Sequence, residues 1–375
     1  MSLTTRGWAA LGAGLAALVA WPAIGEPALL VTAAVLLAAL AIAAIRVGRF
    51  RPELDIARES AGRQVPEGGR AEVRLRISTR GSVTPLMVVE DSVGELGRAT
   101  FSLGRLRPGQ EATVRYEVVC RPRGIYAVGP ATARWRDDFG LVERSRLIGS
   151  AQRLVVVPAV EQLRGLPPGS GWEGQGGRRS RRTARAGGED FTALRPHRPG
   201  DDLRRIHWPA TARHEELIVR HFDTPVRWRA LVVLDTRAAA YSDPHAFEQA
   251  VRGAASILEL LLGAGLPPLL WVGGPRLLVP GNEAMSALAS ARTAADRLPF
   301  PPASEVRGTI ALVTGQPDEQ VRGWVITHAP GAVLAVARSG FEPLGVPTLQ
   351  LRPHQALAQA WAETFAGQWA PPSAG

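Results

Sequence analysis

The sequence gathers its most reactive side chains into one stretch. Asp201 and Asp202 follow the turn-forming pair Pro199-Gly200, with His197 before them and His207 after. Carboxylates beside an imidazole that titrates near neutrality can do general acid–base work. A hydrolytic or transfer enzyme using Asp201, Asp202 and His207 is therefore one reading. The competing reading is structural: the two carboxylates accept backbone N–H bonds as caps, and Arg195, Arg204, Arg205 and Arg213 offer them planar donors. Asp-Arg networks of this kind serve folding more often than catalysis, which favours a clasp with Trp208 packed inside.

A second candidate is Asp235, which ends the apolar run Ala230-Leu-Val-Val-Leu234 and precedes Thr236-Arg237-Ala238-Ala239. Thr314-Gly315 ends a similar run. A third is the arginine run Arg178-Arg179-Ser180-Arg181-Arg182. Blocks of like charge usually stay solvated, so a linker is favoured over a binder of anionic lipid or nucleic acid, which would show strong salt dependence. Other enzyme signatures are missing: there is no Walker A loop, no nucleophile elbow and no zinc pattern, and His214-Glu-Glu-Leu-Ile218 lacks the second histidine of a metalloprotease. Cys120 reads as a small core residue rather than a nucleophile.

The elements that must position these groups follow from periodicity. From Arg227 to Gly375, strand-like runs at Ala230–Asp235, Leu269–Val272, Thr309–Val313 and Ala332–Ala337 alternate with helical spacing at His245–Leu262, Glu283–Leu298, Asp318–His328 and Pro353–Ala366. This order predicts a mostly parallel, doubly wound sheet, whose ligands meet the carboxyl ends of the strands near Asp235, Thr314 and Gly315. From Glu53 to Pro158 the pattern is different. Ala71–Ile77 and Thr113–Val119 alternate apolar and polar residues with a period of two, separated by turn signals, which predicts an antiparallel β-sandwich of immunoglobulin-like size.

At the N-terminus, Trp8–Ile24 and Ala28–Ile45 carry no charged side chain, and each is near the ~17 to 25 residues that span a bilayer. Only Gly25, Glu26 and Pro27 separate them, so the helices run antiparallel and open on one side. Arg6 precedes the first span, and Arg46, Arg49 and Arg51 follow the second, which by the positive-inside rule predicts a cytoplasmic body. A second full span so soon after the first does not fit a cleaved signal peptide. The net charge is +10 and every basic residue is arginine. Beside a membrane such a surface faces lipid headgroups more readily than nucleic acid, and no recognition helix or stacking-aromatic pattern argues for the latter.

The stretch Gly187-Gly-Glu-Asp-Phe-Thr-Ala-Leu-Arg195, Pro196-His-Arg-Pro-Gly-Asp-Asp202, Leu203-Arg-Arg-Ile-His-Trp208 and Thr211-Ala-Arg213 resembles the signature of the DUF58 family. The residues carrying it are Glu189, Phe191, Leu194, Arg195, Pro199, Gly200, Asp201, Asp202, Arg204, Ile206, Trp208 and Arg213. Arg123–Pro130 and Asp138-Phe-Gly-Leu141 also look like the end of that family's β module. The family signature usually has Tyr and Asp where His197 and His207 stand, so shared chemistry does not depend on either imidazole. The resemblance implies a bacterial membrane protein whose final domain is von Willebrand factor A-like. It also implies protein partners, among them a MoxR-type AAA+ ATPase and transglutaminase-like membrane proteins.

Many A domains hold Mg²⁺ with an Asp-x-Ser-x-Ser loop, a threonine and a further aspartate. Here Arg237 and Ala239 take the serine positions, and an arginine brings charge but no acceptor. The expectation is no metal and no other cofactor, with Asp235, Arg237 and Thr314 forming a surface for a partner protein; one alternative has Arg237 replacing the ion and receiving a partner's acidic group. The expected organisation is a transmembrane hairpin at 1–48, a β-sandwich-like module at 49–160, a Gly/Arg-rich linker at 161–186, the signature segment at 187–226 and the A-like α/β domain at 227–375. The function expected is a non-enzymatic scaffold anchored in the cell membrane.

Overall fold

The computed structural model describes residues 1–50, 53–60, 64–165, 191–196, 208, 211–212, 217–222, 230–272, 278–294, 300, 310–328, 332–336, 344–352 and 355–365. It divides into two compact units, Met1–Val157 and Pro158–Gly375. The hairpin and β module expected as separate parts thus form one unit.

This first unit opens with a two-residue strand β1 (Ser2–Leu3) and two helices, α1 (Thr5–Ile24) and α2 (Pro27–Arg49). Gly25, at φ 75°, closes α1 with its N–H on the Trp21 carbonyl, and Pro27 starts α2 with the φ a first helical turn needs. Gly14 lets the helices approach: a Cβ there would lie 3.3 Å from Leu37. Both helices are long and apolar enough to cross a membrane. Val19, Ile24, Val31 and Val35 are more than half exposed on their outer faces.

The strands that follow are β2 (Leu54–Ser60), β3 (Gln64–Pro66), β4 (Arg70–Thr79), β5 (Met87–Val93), β6 (Gly97–Leu103), β7 (Glu111–Val119), β8 (Gly124–Val128), β9 (Ala131–Arg136), β10 (Val142–Ile148) and β11 (Gln152–Val157). They form a three-stranded sheet, β2-β4-β7, and a larger one, β1-β10-β9-β5-β8-β11-β3, with β6 added to β5. Alternation puts Ala71, Val73, Leu75 and Ile77 inside, as their period predicts. Ile77 packs with Met87, Val89, Trp135 and Ile148 at one end of the core, and Ala71 and Val73 with Val93, Val128, Leu154 and Val156 at the other. Cys120 lies in this core, where burial pushes its thiol pKa up. Not every pair is antiparallel as expected, because β3 returns beside β11 in parallel.

The sandwich also buries charge. The Arg58 guanidinium on β2 donates to Asp91 on β5 at 2.8 and 3.2 Å and to the Ser150 carbonyl at 2.6 Å, while the Tyr116 hydroxyl on β7 donates to Asp91 at 2.7 Å. These bonds join the two sheets. Gly129, at φ 78°, leaves room for the guanidinium where any Cβ would collide with it.

In the second unit, β12 (Phe191–Pro196) pairs antiparallel with β13 (Ile218–Phe222). The main sheet comprises β14 (Ala230–Leu234), β15 (Pro268–Trp271), β16 (Leu278–Pro280), β17 (Ile310–Thr314), β18 (Ala332–Val336) and β19 (Thr348–Gln350), in the order β16-β15-β14-β17-β18-β19. All neighbours are parallel except the edge strand β16. Among the described residues, the helices α3 (Pro244–Gly263), α4 (Gly281–Ser290), α5 (Glu319–His328) and α6 (Leu357–Phe365) accompany it. Leu231, Val233 and Leu312 pack with Val321 and Val325 of α5, whereas Val313 faces Gly253 of α3. Both faces are therefore covered, as buried parallel strands require. Residues 158–165 belong to this unit instead of ending the β module or opening a linker. The Glu161 N–H donates to Ser256, the Glu161 carboxylate accepts from the Ala358 N–H near the start of α6, and the Trp361 indole donates to the Gly165 carbonyl.

Candidate functional site

The strand order reverses direction between β14 and β17: from β14 the chain moves to β15 on one side, then returns to add β17 on the other. At such a switch point the carboxyl ends of neighbouring strands open a crevice, the usual ligand position in an open α/β sheet. Asp235 follows β14 and Thr314 ends β17, so both arrive there, and both are buried.

The Asp235 carboxylate is fully engaged. Its Oδ1 accepts from the backbone N–H of Arg237 and from Arg237 Nε, both at 3.0 Å. Its Oδ2 accepts from Arg237 Nη2 at 2.7 Å and from the Thr314 hydroxyl at 2.8 Å. The other side of the guanidinium reaches Asp318, with Nη1 on Oδ2 at 2.5 Å and Nη2 on Oδ1 at 3.3 Å, and Gln320 at 3.2 Å. Its Cζ lies 5.7 Å from the ring centroid of Phe300, which stacks on Trp324. The hydrogen bond to Asp235 is the largest influence raising the Arg237 pKa, so this cation stays charged at any working pH. Burial alone would raise the Asp318 pKa, but hydrogen bonds from Arg237 and from the Val321 N–H hold it below the usual aspartate range.

The backbone around the site is fitted closely. The Tyr241 hydroxyl donates to the Asp235 carbonyl at 2.5 Å, and burial drives its pKa up. Gly315 must remain glycine, because a Cβ there would strike the Ala240 carbonyl and the Tyr241 ring. Ala294 pairs with the loop, donating to Thr236 at 2.7 Å and accepting from Ala238 at 3.1 Å.

The structure thus brings Asp235, Arg237 and Thr314 together, in a network of their own side chains. Arg237 is only 5% exposed and all five of its side-chain N–H bonds have acceptors within the chain, leaving none for an acidic group from outside. A divalent cation does not fit these residues either. The guanidinium sits on the oxygens that would ligate it, and arginine has no lone pair to offer. Among the described residues, no group of three or more His, Cys, Asp or Glu could hold a metal ion.

Sequence reasoning missed Asp318, Gln320 and Tyr241. Asp318 was placed as the first residue of a helix; it is instead the residue before α5, accepting from the Val321 N–H at 2.9 Å. An acidic residue just ahead of Glu319 is an N-cap signal, but nothing in the sequence joins it to Arg237.

Of the signature residues, Phe191, Leu194 and Arg195 lie on β12, where Leu194 pairs with Arg220 and Arg195 with Val219. Trp208 is 66% exposed, so the expectation that it packs inside is corrected. Glu189, His197, Pro199, Gly200, Asp201, Asp202, Arg204, Arg205, Ile206, His207, Arg213 and the run Arg178–Arg182 lie outside the described residues.

No curated protein matches the chain. Among solved structures, it is similar to the CARDB domain of a Pyrococcus furiosus protein solved with di-metal ions, at 17% identity over 28% of this chain and 89% of that one, with a TM-score of 0.23. It is also similar to the alkylpurine DNA glycosylase AlkC of Pseudomonas fluorescens bound to DNA, at 13% identity over 33% of this chain and 38% of that one, with a TM-score of 0.21. Residues 193–296, which run from β12 through the Asp235–Arg237 loop to beyond α4, match the family described as protein of unknown function DUF58.

Proposed function

We propose that this chain is a non-enzymatic scaffold anchored in the cell membrane by α1 and α2, with its body in the cytoplasm. The observation that carries this reading is how the anchor is built. β1 adds to the sheet edge by pairing Ser2 with Glu143 and Leu3 with Val142. The end of α2 contributes Ala43 and Val47 to the sandwich core. The helices are thus part of the folded module at their open end, while their outer apolar faces are exposed. Removal of α1 as a signal sequence would also strip β1 from the sheet edge. Arginines at the open end and Glu26 at the turn favour a cytoplasmic body.

The α/β unit would then be a von Willebrand A-like docking domain, a reading supported by its doubly wound sheet and by the placement of Asp235 at the switch point. Its partner, by the family resemblance, is a MoxR-type AAA+ ATPase or a transglutaminase-like membrane protein. Among the described residues of the Asp235 network, the exposed charge is the carboxylate of Asp318, half exposed, and not Arg237. The contacting group on the partner is therefore a lysine or arginine.

Membranes from cells making the full chain test the anchor: washed with alkaline carbonate they should retain it, and its intact mass should begin at Met1 or Ser2. Release into the wash, or a start near residue 25, would refute the anchor. The full chain in lipid nanodiscs, titrated with a MoxR-type ATPase and with a transglutaminase-like partner, tests docking; binding of neither overturns the scaffold.

A further inference from the structure

The strand registers bring several loops to one end of the sandwich. β2 begins at Leu54, a few residues after α2 ends, and Leu54 pairs with Thr79 at the end of β4. Met87 begins β5 and pairs with Leu103, which ends β6, and with Trp135, near the end of β9. Arg136 pairs with Glu143 of β10, and Glu143 pairs with Ser2. The loops at 80–86, 104–110 and 137–141 therefore share the end from which the two helices depart.

Two of these loops carry large apolar side chains into solvent: Phe139 is 72% exposed, Leu86 67% and Val83 49%. Single exposed apolar residues are ordinary on protein surfaces. What sets Phe139 apart is that its depth relative to α1 is fixed. Asp137 holds the turn by accepting from the N–H groups of Phe139 and Val142 at 3.0 and 2.7 Å. Thr4, the N-cap of α1, donates its N–H to the Leu141 carbonyl at 3.0 Å and its hydroxyl to the Gly140 carbonyl at 2.5 Å. Gly7 lies so close to the Leu141 carbonyl that a Cβ would collide with it. Arg46 of α2 pairs with Asp138 at 3.6 Å. The turn is thus bound to the first residues of one span and the last turn of the other.

The loop at 80–86 is tied to its neighbour, since Thr84 and Leu106 exchange hydrogen bonds at 2.8 and 2.9 Å. The charges at this end are mixed: Arg46, Arg49, Arg105 and Arg107 are exposed, as are Glu53, Asp55 and Asp138, and Arg80 pairs with Asp55 at 2.6 Å. Trp8, one turn into α1, is 63% exposed. An aromatic near the start of a span, with arginines around it, is the composition of a bilayer's interfacial zone.

We propose that this end of the sandwich rests in the phospholipid headgroup layer, with Phe139 and Leu86 inserted toward the acyl chains. This rests on the reading that α1 and α2 span the bilayer. The lipid contact would fix the tilt of the β module on the membrane, beyond the tethering that the helices supply.

Single-cysteine variants of the full chain test it in a Cys120→Ala background. Phe139→Cys, Leu86→Cys, Val19→Cys in α1 and Glu95→Cys in the turn at the far end of the sandwich would each carry a nitrobenzoxadiazole label. The proteins are reconstituted into phosphatidylcholine–phosphatidylglycerol vesicles with or without lipids bearing nitroxide on the chain. Labels at 139 and 86 should emit to the blue of the label at 95 and be quenched several-fold more strongly. Quenching at 19 with water-like emission at 139 and 86 would overturn the interfacial contact and leave the spans standing. No quenching at 19 would overturn both. Blue-shifted emission at 139 without lipid quenching would indicate a protein contact, and would also overturn the proposal.

Discussion

Arg237 does two tasks at the switch point, neutralising Asp235 and bonding to the N-cap of α5. Replacing Asp235 with Asn removes one of the two carboxylates paired with the buried guanidinium and leaves Asp318 as its charged partner, a loss of about 1.5 to 3 kcal/mol for a hydrogen bond to a charged group. Denaturant unfolding of the full chain in detergent should show a lower midpoint, and an unchanged midpoint would refute the network's importance. The same site sets a pH dependence. Asp318 titrates below its unfolded value, so its contribution is complete above the ordinary aspartate range, about pH 4, and disappears as pH falls through the lower folded value. Arg237 is displaced upward and supplies no slope at working pH. Thermal midpoints of the wild type should therefore fall more steeply below about pH 4 than those of Asp318→Asn. Parallel curves would count against the Asp318–Arg237 bond. Asp318 is half exposed, so solvent screening keeps this difference small.

At the scale of elements, the parts that local pattern controls were legible. The alternation at Ala71–Ile77, the helical spacing at His245–Leu262 and the uncharged spans all express one-dimensional periodicities, and each became the expected element within a few residues. What depended on distant partners was not legible. Arg58 and Asp91 are 33 residues apart and read as ordinary strand charges; β16 and β19 have three residues each, too few to show a period. The helix expected to reach Leu298 stops at Ser290, since Ala291–Ala294 turns to pair with the Asp235 loop. Asp235 and Thr314 could be placed at strand ends from the sequence, but their bond needs the parallel register of β14 and β17. The docking of α1 was equally hidden, because Gly7 resembles any helix glycine until Leu141 packs on it. Gly7→Val should push α1 off the β10 edge and lower the thermal midpoint of the full chain, whereas Gly12→Val, with open space around it, should not. Equal midpoints for the two variants would show that the Gly7 contact contributes nothing.

For the whole molecule, the hairpin converts a local charge bias into a statement about compartment. In the proposed membrane hairpin both ends lie on one side, because Gly25 and Pro27 allow only a tight turn between antiparallel helices. On the proposed reading, the side follows from Arg6, Arg46 and Arg49 against a turn whose only charge is Glu26. The positive-inside rule weighs arginines close to the span ends, and these three qualify. Proteolysis of spheroplasts should then leave the body intact, while inverted vesicles should lose it, with fragments mapping to arginine sites beyond Arg49. Replacing Arg46 and Arg49 with Glu while adding Arg at position 26 should reverse the preference or divide it between the two orientations. The Arg46–Asp138 pair is exposed on both sides, so its loss costs little stability and a folded body is still expected for digestion. Cleavage of the wild type in spheroplasts would place the body outside, and the partners inferred for it would then have to be sought there.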